Sequence, residues 1–157
     1  MTKASWPRRS RCTYGALAGY EKALGPDHTL SLSTVNNLGT MYRDQGKLAE
    51  AEEMYSRALA RCEKALGPDH TLTLATVYNL GTLYCDQGKL AEAEEMYQRA
   101  LMEFRKSLGS EHPLSVIVMS NLKQLDLGGG TVENTSHVNK KPVSGALDGV
   151  ILGDSKL

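Results

Sequence analysis

A block of forty-two residues occurs twice in tandem, and this limits what the chain can fold into more than any other feature. Glu21-Lys22-Ala23-Leu24-Gly25-Pro26-Asp27-His28-Thr29-Leu30 returns at Glu63 to Leu72. Thirty-three of the forty-two positions in 21–62 are identical in 63–104. A third copy begins at Arg105 and fades after Leu125, and a partial copy stands in front: Ala16-Leu17 precedes Ala58-Leu59, which precedes Ala100-Leu101 at the same spacing. A period of this length predicts units that stack on their neighbours and bury a shared core, not one closed globule.

Each unit reads as two helices. Leu48, Ala51, Tyr55, Ala58, Leu59, Cys62 and Leu66 recur mostly at steps of three and four, which puts them on one helical face. Glu50, Glu52, Glu53, Arg57, Arg61 and Lys64 lie between them and suit solvent. Gly67 followed by Pro68 is a stop signal. The preceding stretch carries Val35, Leu38 and Tyr42 on one face and ends at Gly46. His28, beside Asp27, occupies the N-cap position; its copy His112 stands before Pro113, a residue suited to the first helical position. The expected map is a half unit at 10–24, helices at 29–45, 48–66, 71–87 and 90–108, and a last helix at 113–126, with negligible strand signal.

Leu38-Gly39-x-x-Tyr42, Ala51, Tyr55 and Ala58, repeated as Leu80-Gly81-x-x-Tyr84, Ala93, Tyr97 and Ala100, resemble the tetratricopeptide pattern. Small Gly39 and Ala51 let two helices approach, and Tyr42 and Tyr55 fill the space beside them. The usual unit is about 34 residues. The longer unit here, its L-G-x-D-H link and Asn36-Asn37-Leu38 are similar to the kinesin-light-chain variety. The near-identical copies reading D-Q-G-K-L-A-E-A-E-E-M-Y are similar to repeat arrays of fungal nucleotide-binding receptor-like proteins. The resemblance covers 10–126 and implies an all-α, right-handed superhelical solenoid of antiparallel helix hairpins.

It also implies a function: binding a protein or peptide segment in a concave groove lined by the first helix of each unit. Opposite the core face of that helix lie Ser33, Asn36, Thr40 and Arg43, and in the next unit Ala75, Tyr78, Thr82 and Cys85. Three of the nine differences between the units fall on this stripe, at 33/75, 36/78 and 43/85. Drift at exposed positions and tuning of a groove both account for them. Asn37, Asn79 and Asn121 share one register; in the family such an asparagine faces the groove and bonds a peptide backbone, while the alternative is that it braces a neighbouring helix. Tyr78 is the candidate anchor, and Arg43 suits an acidic group.

Other classes find little support. Lys plus Arg and Asp plus Glu both number 18, and zero net charge argues against a dedicated nucleic-acid binder. Cys12, Cys62 and Cys85 match no metal framework. His28, His70 and His112 stand one unit apart, roughly 10 Å or more in a stack, too far for one zinc ion. Gly128-Gly129-Gly130 lacks the lysine and strand of a phosphate loop. No catalytic constellation is visible, so neither an enzyme nor a cofactor is expected. No apolar run reaches the roughly 20 residues of a membrane span, and with no targeting signal read the expected location is cytoplasmic. The expected layout is an N-terminal arm at 1–9, repeats at 10–127 and a disordered tail at 128–157 with a small apolar run, Val150-Ile151-Leu152. The third copy replaces Gly and Tyr by Lys123 and Asp126 and reads as a cap. The front copy lacks its first helix, so the chain reads as a piece of a longer receptor or adaptor, or as a shortened gene product. Its exposed end hairpins would favour self-association. The alternative function is an array that packs on itself or on a larger receptor without a separate ligand.

Overall fold

The computed structural model describes residues 8–128, and side chains from Cys12 to Leu127. The N-terminal arm and the expected tail lie almost entirely outside the described residues. Six helices follow one another: α1 Arg8–Leu24, α2 Thr29–Asp44, α3 Leu48–Ala65, α4 Thr71–Asp86, α5 Leu90–Leu108 and α6 Pro113–Gly128. No strand occurs among the described residues, and the architecture is an all-α repeat solenoid.

Local chemistry sets the helix ends. His28 is the N-cap of α2, and its ring Nδ1 accepts from the Leu30 amide at 3.2 Å. His70 and His112 cap α4 and α6 in the same way, at 3.1 and 3.3 Å. Each ring satisfies one of the amides that a helix start leaves without an intrahelical partner. Just beyond each cap a hydroxyl ties the linker down: Ser31, Thr73 and Ser115 donate to the carbonyls of Gly25, Gly67 and Gly109. At the end of α2, Gly46 takes φ +73°, its amide bonds the Arg43 carbonyl and the Lys47 amide bonds that of Tyr42. This is the paired closure that a left-handed glycine permits. Gly88 and Lys89 repeat it after α4.

Within each unit the two helices touch through one small residue. A Cβ on Gly39 would stand 2.6 Å from the Tyr55 ring, and one on Gly81 2.9 Å from that of Tyr97. Both rings are buried, and their hydroxyls reach across to donate to Thr40 and Thr82 at 2.9 and 3.0 Å. Each helix packs mainly on its sequence neighbours, and α2 also touches α4. One core joins Leu17, Val35, Leu38, Tyr55, Ala58 and Leu83 across three units. A second joins Leu74, Tyr78, Tyr97, Phe104 and Val118. The inner helix α4 is covered on two sides and is buried without a break from Leu72 to Gly81.

Gly39→Ala and Gly81→Ala should each lower stability by about 1–3 kcal/mol, the cost of overpacking a filled interior. Gly15 on α1 has nothing within 4 Å of an added Cβ. Gly15→Ala should therefore be neutral or gain up to about 1 kcal/mol of helix propensity. Urea unfolding of the three variants measures the contrast; equal effects would contradict this packing.

Candidate functional site

The leading helices α2, α4 and α6 carry every residue of the expected groove. Their surroundings follow from which neighbour each side faces. Asn36 and Asn79 are buried, and the Asn79 amide nitrogen donates to the Asn36 carbonyl oxygen at 3.2 Å. Tyr78 is buried with its ring 5.6 Å from that of Tyr97, and its hydroxyl accepts from the half-buried Asn121 amide at 3.0 Å. Both bonds span forty-three residues, one more than the repeat. Position 36 of one unit thus meets position 37 of the next. The different residues at 36 and 78 both offer an acceptor to the same asparagine, which satisfies polar atoms that burial would otherwise penalise.

The remaining groove positions divide by exposure. Ala75 is buried, whereas Asn37 is exposed. Ser33, Thr40, Arg43, Thr82 and Cys85 are half-buried. Ser33 donates to the Leu30 carbonyl at 3.0 Å, and Thr82 to that of Tyr78 at 3.1 Å. Arg43 pairs with Asp86 of the next unit at 3.4 Å, so the acid it meets is supplied by the chain itself. The structure brings Asn36 to Asn79, and Tyr78 to Asn121. Asn37 stands at the front edge, where no leading helix precedes it among the described residues.

Charges on the trailing helices also cross between units. Glu21 meets Arg57 at 2.9 Å and Arg61 at 3.5 Å, and Glu63 meets Arg99 in the next register. Glu52 accepts from Gln87 at 2.8 Å and from Lys89 at 3.3 Å. The Gln87 amide, with help from Lys89, holds its carboxyl below the usual range. Exposed pairs of this kind contribute roughly 0–1 kcal/mol each. They fix the register of the stack more than its stability. Burial pushes the Cys62 thiol up to about 11 and also raises Cys85. A thiol held protonated is a poor nucleophile. All three cysteines are free, and no group of three or more metal-ligating side chains occurs among the described residues. No described helix is long and apolar enough to cross a membrane.

The sequence profile of the tetratricopeptide repeat matches residues 30–101 and 73–130. Among solved structures, the nearly identical TPR-like repeats of a Podosopora anserina protein described as a kinesin light chain superpose with a TM-score of 0.70 at 26% identity. The alignment covers 77% of this chain and 57% of that one. A single-substitution variant of the same protein gives a TM-score of 0.69 at 26% identity, with the same coverage of 77% and 57%. BtubC (BKLC) from P. vanneervenii superposes at 0.61 with 18% identity, covering 83% of this chain and 60% of its own, a likeness of fold. The chain thus spans less than two thirds of the length of these structures. No curated protein matches it.

Asn79→Ala should cost about 1–3 kcal/mol, because the Asn36 carbonyl is left buried without its donor. The double change Asn36→Ala with Asn79→Ala should cost less than the sum of the single changes. Asn37→Ala, on the exposed edge, should stay within about 0.5 kcal/mol of the unchanged chain. Urea denaturation midpoints report all three.

Proposed function

The chain belongs to the tetratricopeptide repeat family, a family of protein-interaction modules, and from that premise we propose that it recognises a peptide or protein segment along the trough lined by α2, α4 and α6. The observation that carries this reading is the division of labour along those helices. Asn36, Ala75, Tyr78 and Asn79 form a buried floor, whereas Ser33, Asn37, Thr40, Arg43, Thr82 and Asn121 keep part of their surface open. The hydroxyls of Ser33, Thr40 and Thr82 already donate to carbonyls of their own helices. What the open set offers a peptide main chain is therefore chiefly the exposed Asn37 amide, which can donate and accept. Arg43, already neutralised by Asp86, contributes its stem and remaining donors. In this reading Tyr78 holds Asn121 in place and acts on the ligand through it.

The reading makes the chain a non-catalytic scaffold without cofactor, acting in the cytoplasm on a protein partner and not on nucleic acid or membrane. The kinesin-light-chain likeness extends to an adaptor role within a longer protein. A second reading, an array that stacks on itself or on a larger receptor, is favoured by apolar side chains left exposed at both ends of the stack: Tyr20, Leu30 and Val116.

Panning a random peptide library on the chain tests the first reading. Extended peptides should be enriched, and Asn37→Ala should weaken them about 3- to 10-fold, the worth of one hydrogen bond, with an unchanged melting temperature. A bulky Ser33→Trp should abolish binding. Failure to enrich any peptide, or binding indifferent to both changes, would contradict it.

A further inference from the structure

The inner units build one small apolar cluster twice. Leu32 of α2, Cys62 of α3 and Leu72 of α4 meet in the first. One repeat later Leu74, Phe104 and Leu114 take the same places. All six are at most 3% exposed. Shifted one register further, the first member is Val116 on α6. Shifted one register back, the second and third members are Tyr20 on α1 and Leu30 on α2. These three are 44%, 37% and 41% exposed. They are the separated parts of a third cluster, with its first member at one end of the stack and the other two at the opposite end.

We propose that a second copy of this chain docks head to tail, with α6 of one copy packed against α1 and α2 of the next. Val116 then meets the partner's Tyr20 and the partner's Leu30. The helix order supports this occupant. Among the described residues α6 is a leading helix with no trailing partner, and α1 is a trailing helix with no leading partner. Together they complete one hairpin. The forty-three-residue step that joins Asn36 to Asn79 and Tyr78 to Asn121 brings the partner's Asn37 to Ser120, a hydroxyl that can accept. Both are exposed.

Departures from the repeat fall on the two sides of the same junction. The close-approach glycine of α2 and α4 becomes Lys123 on α6, which could not stand against a tyrosine ring. The facing ring position, Tyr55 and Tyr97, is Thr13 on α1, and the smaller side chain leaves room for the lysine stem. The register of Glu21 and Glu63 holds Arg105 on α5. The register of its partners Arg57 and Arg99 holds Gly15 on α1, so no second arginine is brought up to repel it. A contact between two different surfaces repeats with each added copy, so the assembly extends until a rotation closes it. Tyr20, Leu30 and Val116 lie outside the trough and only Asn37 is shared with it, so the association of copies is read separately from peptide binding.

Sedimentation velocity of the full chain at rising concentration is the test. The mean mass should climb past that of a dimer. Leu30→Glu blocks one face and Val116→Glu the other, each weakening association by about tenfold or more through a charge brought into an apolar contact. Each variant alone should be monomeric, and their equimolar mixture should form a dimer that grows no further. Both positions are exposed, so circular dichroism should show unchanged helicity. The proposal fails if the unchanged chain stays monomeric, as it would if its own residues 129–157 or another protein's repeats covered the face. It fails equally if either variant alone still assembles, or if the mixture stays monomeric.

Discussion

The stack depends on a helix backbone brought against an aromatic ring. Gly39 and Gly81 present no side chain, so Tyr55 and Tyr97 lie flush on α2 and α4. The distance between the two helices of a unit follows from that contact. Each tyrosine then spends its hydroxyl on a threonine of the facing helix, so the ring can be buried without stranding a polar atom. Burial holds both Tyr97 and its hydrogen-bonded neighbour Cys85 in their protonated forms. Hairpins built to one spacing can be stacked repeatedly, and both units keep the glycine, the tyrosine and the threonine that set it.

Between units the constraint is polar as well as apolar. Asparagine is a poor helix former, yet it stands mid-helix at 37, 79 and 121. Where a unit precedes it, its amide is hydrogen-bonded to that unit's helix. Where none is described, at Asn37, it is exposed. The same residue therefore fastens two hairpins in the interior and offers an open amide at the edge. On the proposed reading this arrangement has a consequence for binding: the side chains beneath the peptide are already held by one another, and no ligand has to order them.

Helix positions were legible to within two residues because caps and stops are local. His28, His70 and His112 each precede a helix and cap it, and glycine follows each of α1 to α5. The close approach at Gly39 was legible because a small residue one turn before a tyrosine has a steric meaning. The surroundings of Asn36, Tyr78 and Asn79 were not. A helical wheel sorts residues by the face turned to their own hairpin, but an inner helix such as α4 is covered on two sides, and the contacts between units run at forty-three residues where the sequence repeats at forty-two. Nor does the helical pattern reveal the ties from Ser31 and Thr73 back to Gly25 and Gly67, although of the nine differences between the units this is the one that keeps a hydroxyl in both. The arm and tail expected at the two ends lie outside the described structure, as does the apolar run at 150–152.

In a linear stack each unit is held only by its neighbours, so local stability should follow position in the chain. Amide hydrogen exchange, resolved by helix at a concentration where the chain is monomeric, reads that gradient directly. Slowest exchange in α4, intermediate exchange in its flanking helices and fastest exchange in α1 and α6 is the result this account predicts. Uniform protection along the chain, or α1 and α6 as protected as α4, would contradict it.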